Sequence, residues 1–446
     1  MGYNSHIICI YMYGKKLKAI KFRMKGCRKM YGLFIEKIEQ KLKAAEKSAL
    51  IFIDVDNFKY VNYTYGHKFG DRLLERFYEI LTGLLNDNCT IYRIGGDKFA
   101  VLVERFETIQ EIEKLAITLL KGLKLVRLDG KVFYYTVSIG ISFYPEHGST
   151  VDDLCKSADI AFEKAKETGK NKIVIYSDSM ILEVQEWVLI ESYLRNALEN
   201  NEFELYFQPI YETQNGRISG FETLVRWRND EMGFVMPDKF IEVAEDTHMI
   251  ISIGEWIFRN ACMFQKNLQQ EGYKDIVVSV NVSRLQLLQE DFVEVVMDML
   301  EMVGISPDSM EIEVAEPILA EARDLISDKL KTLNGNGLRI TMDGFGKGYS
   351  SMNFLKQLPI TSLKIDKSIV DTINGKQGSV SLVDYMVHVA KSIDLNVLAE
   401  GIETREQYDY MQNIRCDRLQ GYFLSRPLSE RDAIGKLQHK GDEDKA

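Results

Sequence analysis

Short apolar runs, many of them ending in an acid or an amide, recur along the chain and alternate with longer stretches of helical spacing. Helical spacing over 34–45 leads into 49–56, an apolar run closed by two carboxylates, the pattern of a helix feeding a buried strand. Residues 57–70 are polar, aromatic and punctuated by glycine, and a helix is expected from Asp71 to Leu85. The run 90–103 reads as a hairpin about Gly95 and Gly96, followed by a helix over 108–123, a strand over 134–143, a helix over 151–167 and a last strand over 172–176. That order makes one α/β domain. A helical stretch, 178–201, follows, with Trp187, Leu194 and Leu198 on its packed face and Glu183, Glu186 and Glu191 in solvent. Beyond it come eight strand-like runs, at 203–211, 218–227, 276–282, 310–315, 338–342, 362–365, 396–399 and 419–424, a spacing that predicts a barrel.

The stretch 339–352 stands out. Ile340 and Met342 alternate with polar neighbours, and the run breaks at Asp343 into Gly344, Gly346 and Gly348. It reads as a strand opening into a phosphate-sized loop with Asp343 at its carboxyl end, where strand-helix folds collect ligands; the alternative is a glycine-rich surface turn. The other runs end alike, in Glu222, Asn281, Glu313 and Glu316, Asp366, Glu400 and Glu403, and Gln420. A closed barrel would bring these groups together. Converging carboxylates repel unless a divalent cation neutralises them, so a metal site is expected rather than scattered solvated charges.

Composition narrows the chemistry. The 446 residues are 46% hydrophobic and 27% charged, ordinary values for two or three globular domains. A net charge of -10 gives no general affinity for a nucleic acid duplex. Six scattered cysteines without metal spacing suit a reducing cytoplasm, and six dispersed histidines leave a hard, oxygen-held cation, Mg2+ or Mn2+, as the expected cofactor. No run approaches the ~18 apolar residues of a membrane span. Lys15 to Lys29 holds eight Lys or Arg and no acid, within a basic flank over 1–30. It reads as a solvated flank, with a membrane-surface or nucleic-acid arm as the alternative.

Several motifs resemble the GGDEF domain, the family that makes cyclic di-GMP from two GTP molecules: Ile53-Asp-Val-Asp-Asn-Phe-Lys59, Tyr65-Gly-His-Lys-Phe-Gly-Asp71, Arg93-Ile-Gly-Gly-Asp-Lys-Phe99, Val137-Ser-Ile-Gly140, and Ala165-Lys166 before Gly169-Lys-Asn171. The resemblance covers 31–177 and implies that Asp54 and Asp97 hold magnesium, Asn62 and Asp71 contact guanine, and Lys166 reaches phosphate. Lys98 stands where the family has the second acid of its signature, and a cation cannot fix a metal or help activate a hydroxyl. Lys170 replaces an arginine and its bidentate grip, and Tyr63 replaces an acid. This domain is therefore read as a degenerate non-cyclase that regulates, with GTP as its expected ligand.

The second half resembles the EAL domain, the family of cyclic di-GMP phosphodiesterases built on a modified (β/α)8 barrel. The matching residues are Gln208-Pro-Ile210, Gly220-Phe-Glu-Thr-Leu-Val-Arg-Trp227, Val280-Asn-Val-Ser283, Glu311-Ile-Glu-Val-Ala-Glu316, Asp343-Gly-Phe-Gly346, Leu363-Lys-Ile-Asp366, Ala399-Glu-Gly-Ile-Glu-Thr404 and Gln420-Gly-Tyr-Phe423. The resemblance implies an α/β protein with a GGDEF domain (31–177), a connecting helix (178–200), an EAL domain (201–438) and a charged tail (439–446). It implies that Glu222, Asn281, Glu313 and Asp343 ligate metal and that Lys364 and Glu400 position or activate water. Glu316 would brace the glycine loop, while Gln208, Arg226, Glu403 and Gln420 would hold cyclic di-GMP. Three departures weigh on activity: Thr223 replaces alanine, Ala315 replaces threonine, and Gly344 replaces the second aspartate of the family's Asp-Asp-Phe-Gly, with Lys347 adding a charge to the same loop. The expectation is a cyclic di-GMP phosphodiesterase of reduced rate; the competing one is an inactive effector acting through a protein partner. A homodimer is a family expectation.

Overall fold

The computed structural model describes residues 11–13, 16–18, 27–43, 45–129, 131–321, 323–346, 355–373 and 382–443. Lys347, Gly348 and much of the basic flank lie outside them. The chain divides into two compact units, Met1–Val188 and Leu189–Ala446.

In the first unit, β1 (Tyr11–Tyr13) and β2 (Lys16–Lys18) form a small antiparallel pair ahead of α1 (Cys27–Leu42). The core strand is β3 (Ser48–Val55), buried at every position. Its alternation divides the core in two. Ala49, Ile51 and Ile53 join Leu73, Phe77, Phe99 and Leu119 on one face of the sheet, while Leu50 and Phe52 join Phe34, Ile38, Leu154 and Phe162 on the other. The sequence leaves 57–70 without an element and opens a helix at Asp71. The structure instead has α2 (Phe58–Tyr65) and α3 (His67–Leu84). They are separated by Gly66 in the left-handed region (φ 83), and Asn57 (φ 61) opens the first.

Next come β4 (Cys89–Gly95), β5 (Lys98–Val103), α4 (Ile109–Gly122), β6 (Leu125–Leu128), β7 (Lys131–Tyr134), β8 (Val137–Tyr144), α5 (Val151–Glu167) and β9 (Ile173–Ile175). The sheet runs β4-β5-β3-β8-β9, with β6 and β7 paired separately. That β6–β7 hairpin is absent from the sequence reading, although an Asp-Gly turn sits at Asp129 (φ 53) between two apolar runs. Gly140 on β8 lets α5 lie directly on the sheet, since a Cβ there would stand 2.2 Å from the backbone nitrogen of Phe162.

The unit boundary falls inside α6 (Asp178–Ala197), where Ile190 and Leu194 are buried and Trp187 and Leu198 only half-buried.

The second unit is a closed barrel. Its strands are β10 (Phe203–Glu212), β11 (Ile218–Asn229), β13 (Val277–Asn281), β14 (Met310–Ala315), β15 (Arg339–Phe345), β16 (Ser362–Ile365), β17 (Asn396–Ala399) and β18 (Arg418–Leu419), with β12 (Gly233–Val235) added beside β11. Around the ring the order is β10-β18-β17-β16-β15-β14-β13-β11, and β10 closes it by pairing with β11. Within the ring the neighbours from β11 and β13 through β18 run parallel, whereas β10 is antiparallel to both its partners and β12, outside the ring, is antiparallel to β11. One reversed strand is what distinguishes this barrel from the regular eightfold repeat.

Candidate functional site

Parallel pairing sets the site. Asn281 on β13, Glu313 on β14 and Thr341 on β15 are register partners, as are Glu222 on β11 and Ser279 on β13. Partners on adjoining parallel strands share a sheet face, so the polar residues of the alternating pattern turn into the barrel and the apolar ones, such as Ile312, Ile340 and Met342, turn outward. Asp343 lies near the carboxyl end of β15 and Lys364 on β16, while Glu400 and Gln420 directly follow β17 and β18.

Lys364 is the centre of the constellation. Its side chain is 2% exposed, and its ammonium stands 2.5 Å from Glu313, 3.2 Å from Glu222 and 4.0 Å from Asp343, with Glu400 in direct contact. Four carboxylates surround one buried cation. Burial alone would depress the lysine, but Glu222, Glu313, Glu400 and Asp343 outweigh it and hold the ammonium well above its ordinary range. Glu222 accepts hydrogen bonds from Asn281 (2.9 Å) and Gln420 (2.7 Å), and together with Lys364 these overcome its burial and keep it below the usual carboxylate range. Glu313 has Lys364 alone: its Oε1 is buried without a partner among the described residues, and burial followed by the charge of Glu222 outweighs the lysine and pushes it well up. Burial likewise pushes Glu400 up to about 7.

Around this cluster, Glu316 is buried and accepts the Gly346 N–H at 3.2 Å, tying the glycine turn to the end of β14. Gly344 has φ 72, with no described residue within 4 Å of where a Cβ would stand. Gln208 is buried and donates to the Ser425 carbonyl, and Gln420, itself 4% exposed, braces Glu222. Arg226 lies over the Tyr206 ring at 5.7 Å, and Glu403 is exposed and pairs with Lys367. The sequence treats Lys364 as an accessory to the acids, and only barrel closure reveals it as their common partner. Tyr206 under Arg226 is likewise visible only through the β10–β11 pairing. The Thr223 hydroxyl, on the opposite face of β11 from Glu222, is buried without a partner.

Glu222, Glu313 and Glu400 each offer a carboxylate oxygen within 4.8 Å of the others. With Asn281 beside Glu222 and an orphaned Glu313 oxygen, this all-oxygen set fits a hard divalent cation.

In the first unit, Asp54 pairs with Lys166, and its Oδ1 is buried without a partner. Asp97 is pushed up to about 6 by burial and by Asp54. Lys98, opposite Asp54 in the β3–β5 register, pairs with Asp159 and lies over the rings of Phe52 and Phe162, at 4.8 and 4.3 Å. Asn62 turns its Oδ1 against Gly70, where a Cβ would stand 2.1 Å away, and Asp71 is exposed. Asp56 is structural, receiving the hydroxyls of Thr136 and Ser138 and the Asn171 N–H. Two ammonium groups thus occupy carboxylates here, and among the described residues three metal-capable acids converge only in the barrel.

A pH dependence follows from Glu163 on α5. Burial, against the pull of Lys98, raises it from 4.5 to about 7. The folded unit therefore holds a proton that the unfolded chain has already released, so its stability is full below about 4.5 and falls as pH rises through 7, by up to about 3 kcal/mol. Thermal unfolding between pH 5 and 7.5 should show this decline, flattened in Glu163→Gln; equal slopes in both proteins would refute it.

Comparison with known proteins agrees with this geometry. The EAL domain profile matches residues 191–427, and that of the diguanylate cyclase GGDEF domain matches 31–172. The cyclic di-GMP phosphodiesterase NbdA of Pseudomonas aeruginosa is 32% identical over 397 residues, 89% of this chain and 51% of that protein. From the same organism, the bifunctional diguanylate cyclase/cyclic di-GMP phosphodiesterase MucR is 33% identical over 403 residues, 90% of this chain and 58% of that one. The chain thus spans little more than half the length of these relatives. The solved structure of the PaMucR phosphodiesterase in its c-di-GMP complex is 32% identical, with a TM-score of 0.53, over 55% of this chain and 99% of the other. No helix among the described residues is long and apolar enough to cross a membrane. The chain belongs to the EAL-domain family and carries a GGDEF domain in tandem ahead of the EAL barrel.

Proposed function

We propose that the barrel binds cyclic di-GMP and hydrolyses it slowly to the linear dinucleotide, while the first domain is a non-cyclase regulatory module that takes GTP. The observation that carries this reading is the ring of Glu222, Glu313, Asp343 and Glu400 about Lys364 at the strand ends. Mg2+ or Mn2+ held by Glu222, Asn281, Glu313 and Asp343 would supply a polarised water and neutralise phosphoryl charge. Glu400, poised near 7, is suited to accept the proton of the attacking water. Lys364 offers its charge to the phosphoryl oxygens, and Glu316 fixes the Gly346 backbone beside them. Arg226 and Gln208 line the rim for the dinucleotide, with Glu403 beyond them, while Gln420 acts through Glu222. Gly344 contributes no carboxylate, which accounts for a low rate.

The second reading, an effector that binds without turnover and signals through a protein partner, is favoured by Gly344 together with the Lys98–Asp159 pair. The purified chain incubated with cyclic di-GMP and Mg2+ or Mn2+, with and without GTP, separates the two. Linear dinucleotide formed slowly, at a rate changed by GTP, is expected. Heat of binding without product would leave the effector, and neither heat nor product would overturn both readings. GTP alone should give no cyclic di-GMP.

A further inference from the structure

Eight-stranded barrels usually fill their interior with layers of bulky branched side chains. Below the carboxylates of this barrel the layer is small and polar. Ser279 stands in register between Glu222 and Glu311, and Thr341 between Glu313 and Ser362, so both share the interior face with the acids above them. Ser279 is 2% exposed and Thr341 0%. The hydroxyls of both, and Oε1 of Glu313, are buried with no hydrogen-bond partner among the described residues. The layer is closed by Arg418, which donates to the Ser362 hydroxyl at 2.9 Å and stands 3.9 Å from Glu311.

A buried polar atom without a partner costs about 1–3 kcal/mol. Three of them lie on the adjoining strands β13, β14 and β15, and a buried water needs two to four such polar partners. We propose that Ser279 and Thr341 are positioning residues whose hydroxyls hold ordered water inside the barrel against Glu313, fixing its inner oxygen from beneath the metal-capable cluster. The water donates to Glu313 Oε1 and is held in turn by the two hydroxyls. Groups that orient a metal-ligating carboxylate in this way affect the metal as well as the fold.

Thr341→Val keeps the side-chain shape and removes the hydroxyl. The melting temperature of the barrel should fall, and the Mn2+ dissociation constant, read by calorimetry on the full chain without substrate, should weaken about tenfold. Thr341→Ser should restore both. Ser279→Ala should act in the same direction from the neighbouring strand and combine less than additively with Thr341→Val. A rise in melting temperature for Thr341→Val is the mark of an orphaned hydroxyl and would overturn the proposal. So would parental Mn2+ affinity in both variants, or a high-resolution crystal structure with no density between Thr341 Oγ1, Ser279 Oγ and Glu313 Oε1. The inference touches the proposed function only through the metal: if the parent takes up no Mn2+, that function fails, while the melting and density results still decide the water.

Discussion

Lys364→Met should lower the melting temperature of the metal-free barrel by roughly 6–20 °C and abolish hydrolysis of cyclic di-GMP. Among the described residues the lysine is the one cation paired with Glu222, Glu313 and Glu400; it lies 4.0 Å from Asp343 and is 2% exposed. Methionine matches its length but leaves four acids facing one another about a position that is itself 2% exposed. Removing one partner from a buried charge pair costs about 3–5 kcal/mol, because the remaining charge stays uncompensated. At about 2–4 °C per kcal/mol for a domain of this size, the shift follows. The acids can relieve the repulsion by taking up protons or by taking up a divalent cation. Mn2+ should therefore raise the melting temperature of Lys364→Met more than that of the parent, since binding to the folded state stabilises it by mass action. Activity should stay lost even with metal present, because the charge proposed to meet the phosphoryl oxygens is gone. Thermal unfolding in chelator and in Mn2+ checks the first part. An unchanged melting temperature in chelator would mean that the four acids are not held by Lys364.

Gly344→Asp should raise the rate of hydrolysis by about 10- to 100-fold, below the full worth of a preorganised charge-stabilising group. Sequence alone marks the position as a missing carboxylate. The structure adds two opposing facts: no described residue lies within 4 Å of the new Cβ, but φ is 72. Aspartate visits this left-handed region more readily than most residues, at a cost of about 1–2 kcal/mol. The strain should appear as a slightly lower melting temperature, while the carboxylate should appear as a faster rate and a steeper dependence on metal concentration. Gly344→Ala is the control, carrying the strain without the ligand, and it should be no faster than the parent. If Gly344→Asp is no faster either, the missing carboxylate does not limit the rate.

How far the site could be read from the sequence differs from residue to residue. Asp343 and Glu400 were recognisable because each closes an apolar run, and Glu222, Asn281 and Glu313 because each interrupts one with a polar group, both features of local sequence. Lys364 was recognisable as a candidate but not as the hub, since its partners come from four other strands or strand ends. Gln420 reads from its motif as a ligand contact, yet its nearest partner is Glu222. In the first unit, Lys98 was visible as a charge reversal, but its pairing with Asp159 across two aromatic rings depends on α5 lying close over Gly140. Helix α2 was missed because its aromatic, β-branched sequence has weak helical preference and is held by packing, as at the buried Phe58.

By itself the sequence determined which segments become strands, that two α/β domains follow one another, and which acids stand at the strand ends, because hydrophobic period, glycine breaks and ordered motifs are local properties of the chain. Only the tertiary structure decided that the polar half of each alternating strand faces inward. Thr341 and Ser279 look in sequence like the solvent side of a strand and are instead 0% and 2% exposed. The same alternation serves an open sheet and a closed barrel, and the pairing of β10 with β11 is what turns one into the other. Closure brings four carboxylates around one lysine, and the energetics of that cluster depend on distances between strands that no single segment encodes.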